Sequence, residues 1–318
     1  MSLELCKTLK YLERQDAPRL IVSGIFLQDG RAAFVDRKNS KLLITNIDKE
    51  SYDEVDLCGI LPFEYQQSAE GKESQSNDRA EFKTQTAAYG FYQEKDEKVY
   101  GKKGKQTRKS NNPQPSDINK GSRENEFVIT FTTTDHSIAV VCTLMLQPLR
   151  LQRSFSVVVR DRTRTVVALT PEVFAASTPE NIVVLSKDGD NLAMFRRQKK
   201  DRGGLLMTDG KGKLYFGDGD EFVACKWDGV KLAAVLRFSD PSMKFPRGST
   251  LNSSGQIVVC CDSSHNIFSV SPDGSAGQKI FLDRGKSFGD VDAHPDGRRY
   301  LVTFWQENEW PLILQRRE

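Results

Sequence analysis

One period constrains this chain more than any single motif. A glycine followed by a short apolar run recurs at Gly212 (Leu214-Tyr215-Phe216), Gly255 (Ile257-Val258-Val259) and Gly297 (Tyr300-Leu301-Val302), spaced 43 and 42 residues apart. Asp188-Gly189, Asp228-Gly229 and Asp273-Gly274 interleave with it, spaced 40 and 45. Asp-Gly between apolar runs signals a hairpin, because both central residues tolerate positive φ. Each period thus holds two marked hairpins and four strands. Four strands in ~40–45 residues make the blade of a β-propeller.

Elsewhere the chain uses the same grammar. Short runs rich in Val, Ile, Phe and Thr, bounded by Gly, Asp, Asn and Pro, occur at 127–131, 137–142, 154–159, 165–169 and 182–185. Helical spacing appears only in the short stretch 3–12. The reading is an all-β chain, a β-propeller of six four-stranded blades over about 24–63, 126–152, 154–195, 203–238, 246–283 and 287–316. Residues 1–23 form an N-terminal segment with a ring-closing strand, and 24–316 the propeller. Closure by strand exchange is expected near residues 7–22 and 310–316.

Composition shifts near Gln66. From there to about Asn125 the chain is mostly Ser, Glu, Lys, Gln, Asn and Gly. Such a stretch has too little apolar surface to offset the entropy of ordering, so 66–125 is expected to be a disordered polar insertion within the propeller. It carries an aromatic island, 87–92, and a basic cluster running from Lys98 to Lys109.

Charge and cysteine usage narrow the class further. Lys+Arg number 46 against 43 Asp+Glu, a net +3, which argues against a surface that tracks nucleic acid throughout. No apolar run approaches the ~20 residues that span a bilayer, so no membrane role is expected. The six cysteines include no C-x-x-C pair, and only three histidines accompany them. That is no pattern for structural zinc, and it suits a reducing, cytoplasmic setting. No metal and no small-molecule cofactor is expected.

Two stretches carry a resemblance. Gly24-Ile25-Phe26-Leu27-Gln28-Asp29-Gly30-Arg31-Ala32-Ala33-Phe34-Val35-Asp36, continuing through Leu42, is similar to an NHL repeat. So is Pro246-Arg247-Gly248-Ser249-Thr250-Leu251-Asn252-Ser253-Ser254-Gly255-Gln256-Ile257-Val258-Val259-Cys260, continuing through Gly274. Both look most like the NHL-like propellers at the C-termini of tripartite-motif ubiquitin ligases. That resemblance implies a recognition propeller docking a protein or RNA. The RING, B-box and coiled-coil parts of those ligases are missing from this sequence, so ligase activity does not carry over.

Propeller ligands usually sit where loops from several blades meet around the channel. The candidate partner-binding residues there are Arg37, Lys38, Asn39, Asp218, Arg247, His265 and Asn266. Arg and Lys can contact phosphates or an acidic peptide. The plainer reading is that Asp36, Asn39 and Asn266 cap tight turns through Asx hydrogen bonds. The reading is a non-catalytic module that binds a protein partner. An RNA-binding propeller is the alternative, and a calcium-dependent lactonase-like propeller a second. The lactonase needs acids converging in the channel, for which Asp36, Asp218, Asp262 and Asp292 are the scattered candidates.

Overall fold

The computed structural model of the protein describes residues 2–13, 18–62, 65, 113–134, 136–198, 204–283, 285–306 and 309–317. The chain starts with β1 (Leu3–Thr8), which belongs to the last sheet. Blade one is β2 (Ile21–Phe26), β3 (Ala32–Asp36), β4 (Lys41–Asn46) and β5 (Ser51–Asp56). Blade two is β6 (Gln114–Lys120), β7 (Glu126–Thr132), β8 (Ser137–Leu146) and β9 (Leu149–Val159). Blade three is β10 (Val166–Thr170), β11 (Val173–Ser177), β12 (Asn181–Ser186) and β13 (Asn191–Arg196). Blade four is β14 (Met207–Thr208), β15 (Lys213–Asp218), β16 (Glu221–Trp227) and β17 (Leu232–Ser239). Blade five is β18 (Pro246–Leu251), β19 (Ile257–Cys261), β20 (Asn266–Val270) and β21 (Gly277–Leu282). Blade six is β22 (Phe288–Ala293), β23 (Arg299–Phe304), β24 (Leu312–Arg316) and, outermost, β1.

The first strand of each blade lines a central channel. β2 packs on β6, β6 on β10, β10 on β14, β14 on β18, β18 on β22, and β22 back on β2. All six sheets are antiparallel and four-stranded, so the chain is an all-β, six-bladed propeller. Its apolar core is divided into six wedges, one between each pair of adjacent blades. Second strands such as β3, β7 and β19 are therefore buried on both faces and read as continuous apolar runs. Outer strands such as β5 and β13 are largely exposed.

The glycine markers behave as the period requires. Gly189, Gly212, Gly229, Gly255, Gly274 and Gly297 all have positive φ, between 70° and 99°. They close the hairpins joining strands one to two or three to four within a blade, so all lie on one face of the ring, the hairpin face. The opposite face carries the links from blade to blade and the loops joining strands two to three. We call it the link face.

Three expectations change. The closing strand lies at residues 3–8, ahead of the 7–22 window, and pairs Leu3 with Arg316 and Thr8 with Leu312. The helical spacing over 3–12 resolves into that strand and a single 3-10 turn, 10–12. Blade two begins at Gln114, inside the stretch read as a polar insertion, and ends at Val159, so 154–159 is its outer strand rather than the start of blade three. The reason is physical. β6 reads Gln-Pro-Ser-Asp-Ile-Asn-Lys because it faces a polar channel, so it lacks apolar alternation although Ser116 and Asp117 are buried. The remainder of the insertion, 66–112, with the aromatic island and the basic cluster, lies outside the described residues.

Candidate functional site

The channel has a mouth on each face, and we call the level between them the waist. There β18 and β22, the inner strands of neighbouring blades, approach closely. A Cβ on Gly248 would stand 2.5 Å from the Asp290 Cα, so only glycine fits there. Two carboxylates, the buried Asp117 of β6 and the half-buried Asp290 of β22, lie near Ser23, whose Oγ donates to Asp290 Oδ2 at 3.1 Å. Burial pushes the Asp117 carboxyl up to about 6. Burial, with Asp117's like charge next, holds Asp290 well above the usual carboxylate range.

Below the waist, the hairpin-face mouth is a cavity of about 260 Å³ lined by β6, β14, β18 and β22. Lys120 and Asp292 in its wall are paired. Asp292 accepts from Lys120 Nζ at 2.9 Å, from Thr250 Oγ1 at 3.1 Å and from the Phe26 amide at 2.7 Å. Among the described residues, no group of three His, Cys, Asp or Glu side chains is placed to hold a metal ion.

Above the waist lies the link-face mouth, and its chemistry is opposite. A cavity of about 220 Å³ is lined by Arg37, Arg162, Arg164, Ser116, Thr132, Ser177, Pro179 and Trp305. Three of these residues are arginines and none is a carboxylate. Arg37 is half-buried in the loop after β3. Burial lowers its pKa, and the like charge of Arg162 lowers it further.

Arg162 and Arg164 sit in the link 160–165 before β10, where arginine alternates with threonine. Thr163 and Thr165 point inward and are buried. The Thr163 amide donates to Ser137 Oγ at 2.8 Å, and Ser116 Oγ donates to the Arg164 carbonyl at 2.9 Å. Alternation then turns the arginines outward, Arg162 exposed and Arg164 half-buried.

Trp305, after β23, is the wall that collects guanidinium groups. Arg164 lies 5.2 Å and Arg247 4.0 Å from its ring centroid. Arg247 Nη1 also donates to Asp262 Oδ2 at 2.6 Å, and Asp262 accepts from Ser287 Oγ. Arg247 thus stands behind Trp305 with its charge balanced.

The residues singled out from sequence divide accordingly. Arg37 lines the cavity, Arg247 backs its aromatic wall, and Lys38 is exposed beside Arg37. Asn39 donates to Asp36 Oδ2 at 2.8 Å and to the Pro18 carbonyl at 3.3 Å, holding its own turn. Asp218 is buried and accepts the Gln198 amide at 3.0 Å. His265 takes a positive φ of 52°, and its Nδ1 lies 2.6 Å from the Lys286 carbonyl. Asn266 is buried and donates to the Ser242 carbonyl at 2.8 Å.

Arg162, Arg164 and Trp305 were not among the candidates. The alternation Arg160-Asp161-Arg162-Thr163-Arg164-Thr165 was their only local signal. Of the scattered acids, Asp36 and Asp262 pair with Arg19 and Arg247, while Asp292 does face the channel, joined by Asp117 and Asp290.

Comparison with known proteins bears on the fold alone. The chain is similar to the WD40 β-propeller domain of Doa1, with a TM-score of 0.58 at 10% sequence identity, covering 100% of this chain and 98% of that one. No family model matches the sequence, and no curated protein matches it. The likeness places the chain among β-propellers, a fold whose WD40 members commonly bind proteins, and says nothing of which partner is bound.

Proposed function

We propose that this chain is a non-catalytic recognition module that binds an acidic segment of a protein partner on the link face. One observation carries the reading: a cavity ringed by Arg37, Arg162 and Arg164, with no carboxylate among the described residues of its wall, opens where loops from several blades converge. Clustered guanidinium groups repel one another, and a bound anion offsets that repulsion through charge-assisted hydrogen bonds. The paired charges of the opposite mouth need no such guest.

RNA is the weaker reading. Toward blades four and five the link face turns mixed in sign, with Lys244 bound to Asp220 at 3.2 Å and Arg247 to Asp262. A nucleic-acid backbone asks for a continuous positive track. The lactonase reading lacks a ligand set, because Asp292 is engaged by Lys120 and Thr250.

A finer proposal, kinship with the substrate-recognition propellers of tripartite-motif ubiquitin ligases, rests on the resemblance of 24–42 and 246–274 alone. A cytoplasmic site is proposed in the same spirit. All six cysteines are free thiols, and burial pushes Cys142, Cys225 and Cys261 up to about 12, which makes them inert.

Affinity capture from cytosol with the wild type, an Arg37→Glu/Arg162→Glu variant and a Lys120→Glu variant tests the face. A specific partner should be retained by the wild type and the Lys120 variant and lost from the double reversal. The same protein retained by all three baits would overturn the assignment.

A further inference from the structure

We infer that the hairpin-face cavity is a second ligand site, taking a short alkylammonium group with its charged end on Asp290. It goes beyond the link-face reading and does not depend on it.

The first support is an acid left over. Among the described residues that line the cavity, Asp209, Asp290 and Asp292 stand against one base, Lys120. Lys120 is held by Asp292, and Asp209 Oδ1 accepts the Lys211 and Lys213 amides of its own turn at 2.7 and 2.9 Å. Asp290 accepts from Ser23 Oγ and from the amide of Val291, and among the described residues no base pairs with it. It is half-buried, so its carboxyl can still meet a solute. The six hairpins around this mouth, 27–31, 121–125, 171–172, 209–212, 252–256 and 294–298, all lie among the described residues and bring no further base to the wall.

The second is an orphan hydroxyl. Ser249 lines the same cavity with 7% of its surface exposed, and its Oγ has no hydrogen-bond partner. A buried polar group without a partner destabilises the fold, and a donor arriving in the cavity would offset that loss.

The third is the rest of the wall, which is aliphatic: Ile25, Leu206, Met207, Leu251 and Val291. A bare metal ion would leave a cavity of about 260 Å³ mostly empty, and among the described residues no three acid, His or Cys side chains converge to hold one. An ammonium on an alkyl chain fits both parts. Its methylenes pack on the aliphatic side chains while its N–H groups donate to Asp290 and Ser249.

Binding is coupled to protons. Asp290 is flanked by Asp117 and Asp292, with Lys120 on the latter and the neutral thiol of Cys260 nearby. Burial and then the like charge of Asp117 favour its neutral form, whereas an ammonium favours the charged one. A proton therefore leaves as the amine enters, and affinity rises with pH.

The test titrates the full chain with n-butylamine, n-butanol and n-butyrate, read by calorimetry and ligand-observed NMR at pH 5.5 and pH 8. Butylamine should bind about tenfold or more tightly than butanol, and more tightly at pH 8 than at pH 5.5, while butyrate should not bind. Asp290→Asn keeps the shape without the charge and should remove the preference for the amine. Lys120→Met frees Asp292, so butylamine should raise the thermal midpoint of that variant more than that of the wild type. Arg37→Glu/Arg162→Glu should bind butylamine as the wild type does, which separates failure here from failure on the link face. A free diamine set against an immobilised lysine-centred peptide pool then distinguishes a small polyamine from a partner's lysine as the source.

Equal affinity for butylamine and butanol would overturn the inference, as would butylamine binding unchanged in Asp290→Asn. Absence of binding by any amine, or calcium bound in preference to butylamine, would overturn it as well.

Discussion

The two mouths of the channel share the inner strand β6 and yet are chemically opposite. On the hairpin face, Lys120, Asp292, Thr250 and the Phe26 amide satisfy one another. On the link face, three arginines crowd one cavity with no acid among the described residues of its wall. Charges gathered at the cost of mutual repulsion, in a place the fold does not require, mark a surface arranged for something else. Balanced charges mark a surface arranged for stability. Between the two mouths Gly248 packs against Asp290 of the neighbouring blade.

That packing carries the largest expected effect. Gly248→Val would drive a side chain into the Asp290 backbone, which cannot give way, at an expected cost of about 3 kcal/mol or more. Thermal melting should show a lowered midpoint and a broadened transition. An unchanged midpoint would mean that the inner strands do not meet as described.

The next effect separates the faces directly. Reversing Arg37 and Arg162 to Glu should weaken a captured partner by about a hundredfold, close to 3 kcal/mol, with stability nearly unchanged because no acid among the described residues lines their cavity. Lys120→Met should do the reverse. It leaves Asp292 without its cation and costs about 1 kcal/mol, a figure reduced by the half-exposed position of Lys120, while binding holds. Equilibrium unfolding and a binding isotherm on both variants check the pair. Matched losses in both assays would dissolve the distinction.

The waist sets the pH response. Asp117 and Asp290 hold protons in the folded ring at pH values where the unfolded chain has released them. Their contribution is therefore fully present below pH ~4 and declines as pH rises through about 6, the folded value of Asp117. Asp290→Asn should flatten that decline and raise stability at pH 7 by on the order of 2 kcal/mol. Denaturant melts from pH 4 to 8 decide it, and a wild-type profile that rises across this window would contradict the paired burial.

The faces also differ in how far they could be read from sequence. Hairpin-face turns are local. Asp228-Gly229 or Gly255 before an apolar run specifies its geometry within four residues, and the period of those signals specifies the blades. The link-face cavity assembles Arg37, Ser116, Thr132, Arg162, Arg164, Ser177 and Trp305 from blades one, two, three and six, and no window of the chain contains it. Arg37 was legible because it sits in a polar loop between two apolar strands. Trp305 was not, because an aromatic at the end of β23 looks like core. β6 was hidden for the opposite reason: its polar residues face a channel, and burial among polar partners leaves no apolar pattern. Excising 66–112 should therefore leave the melt nearly unchanged, as its polar composition predicts, whereas extending the cut to residue 125 should unfold blade two.

The smallest effect lies on the hairpin face. Gly229 turns at φ 99° between β16 and β17, and a Cβ there would meet nothing within 4 Å. Gly229→Ala thus isolates backbone conformation from packing, and should cost about 1 kcal/mol through the left-handed region alone. Gly274 has a similar φ of 73°, but its Cβ would press into Leu236 at 2.6 Å. Gly274→Ala should therefore cost more than Gly229→Ala by whatever that side chain cannot yield. Neither change should alter partner binding, since both turns are on the face away from the arginines. Equal losses from the two alanines would show that the hairpin face stores only turn strain. A loss of binding from either would mean that a disturbance on the hairpin face reaches across the waist.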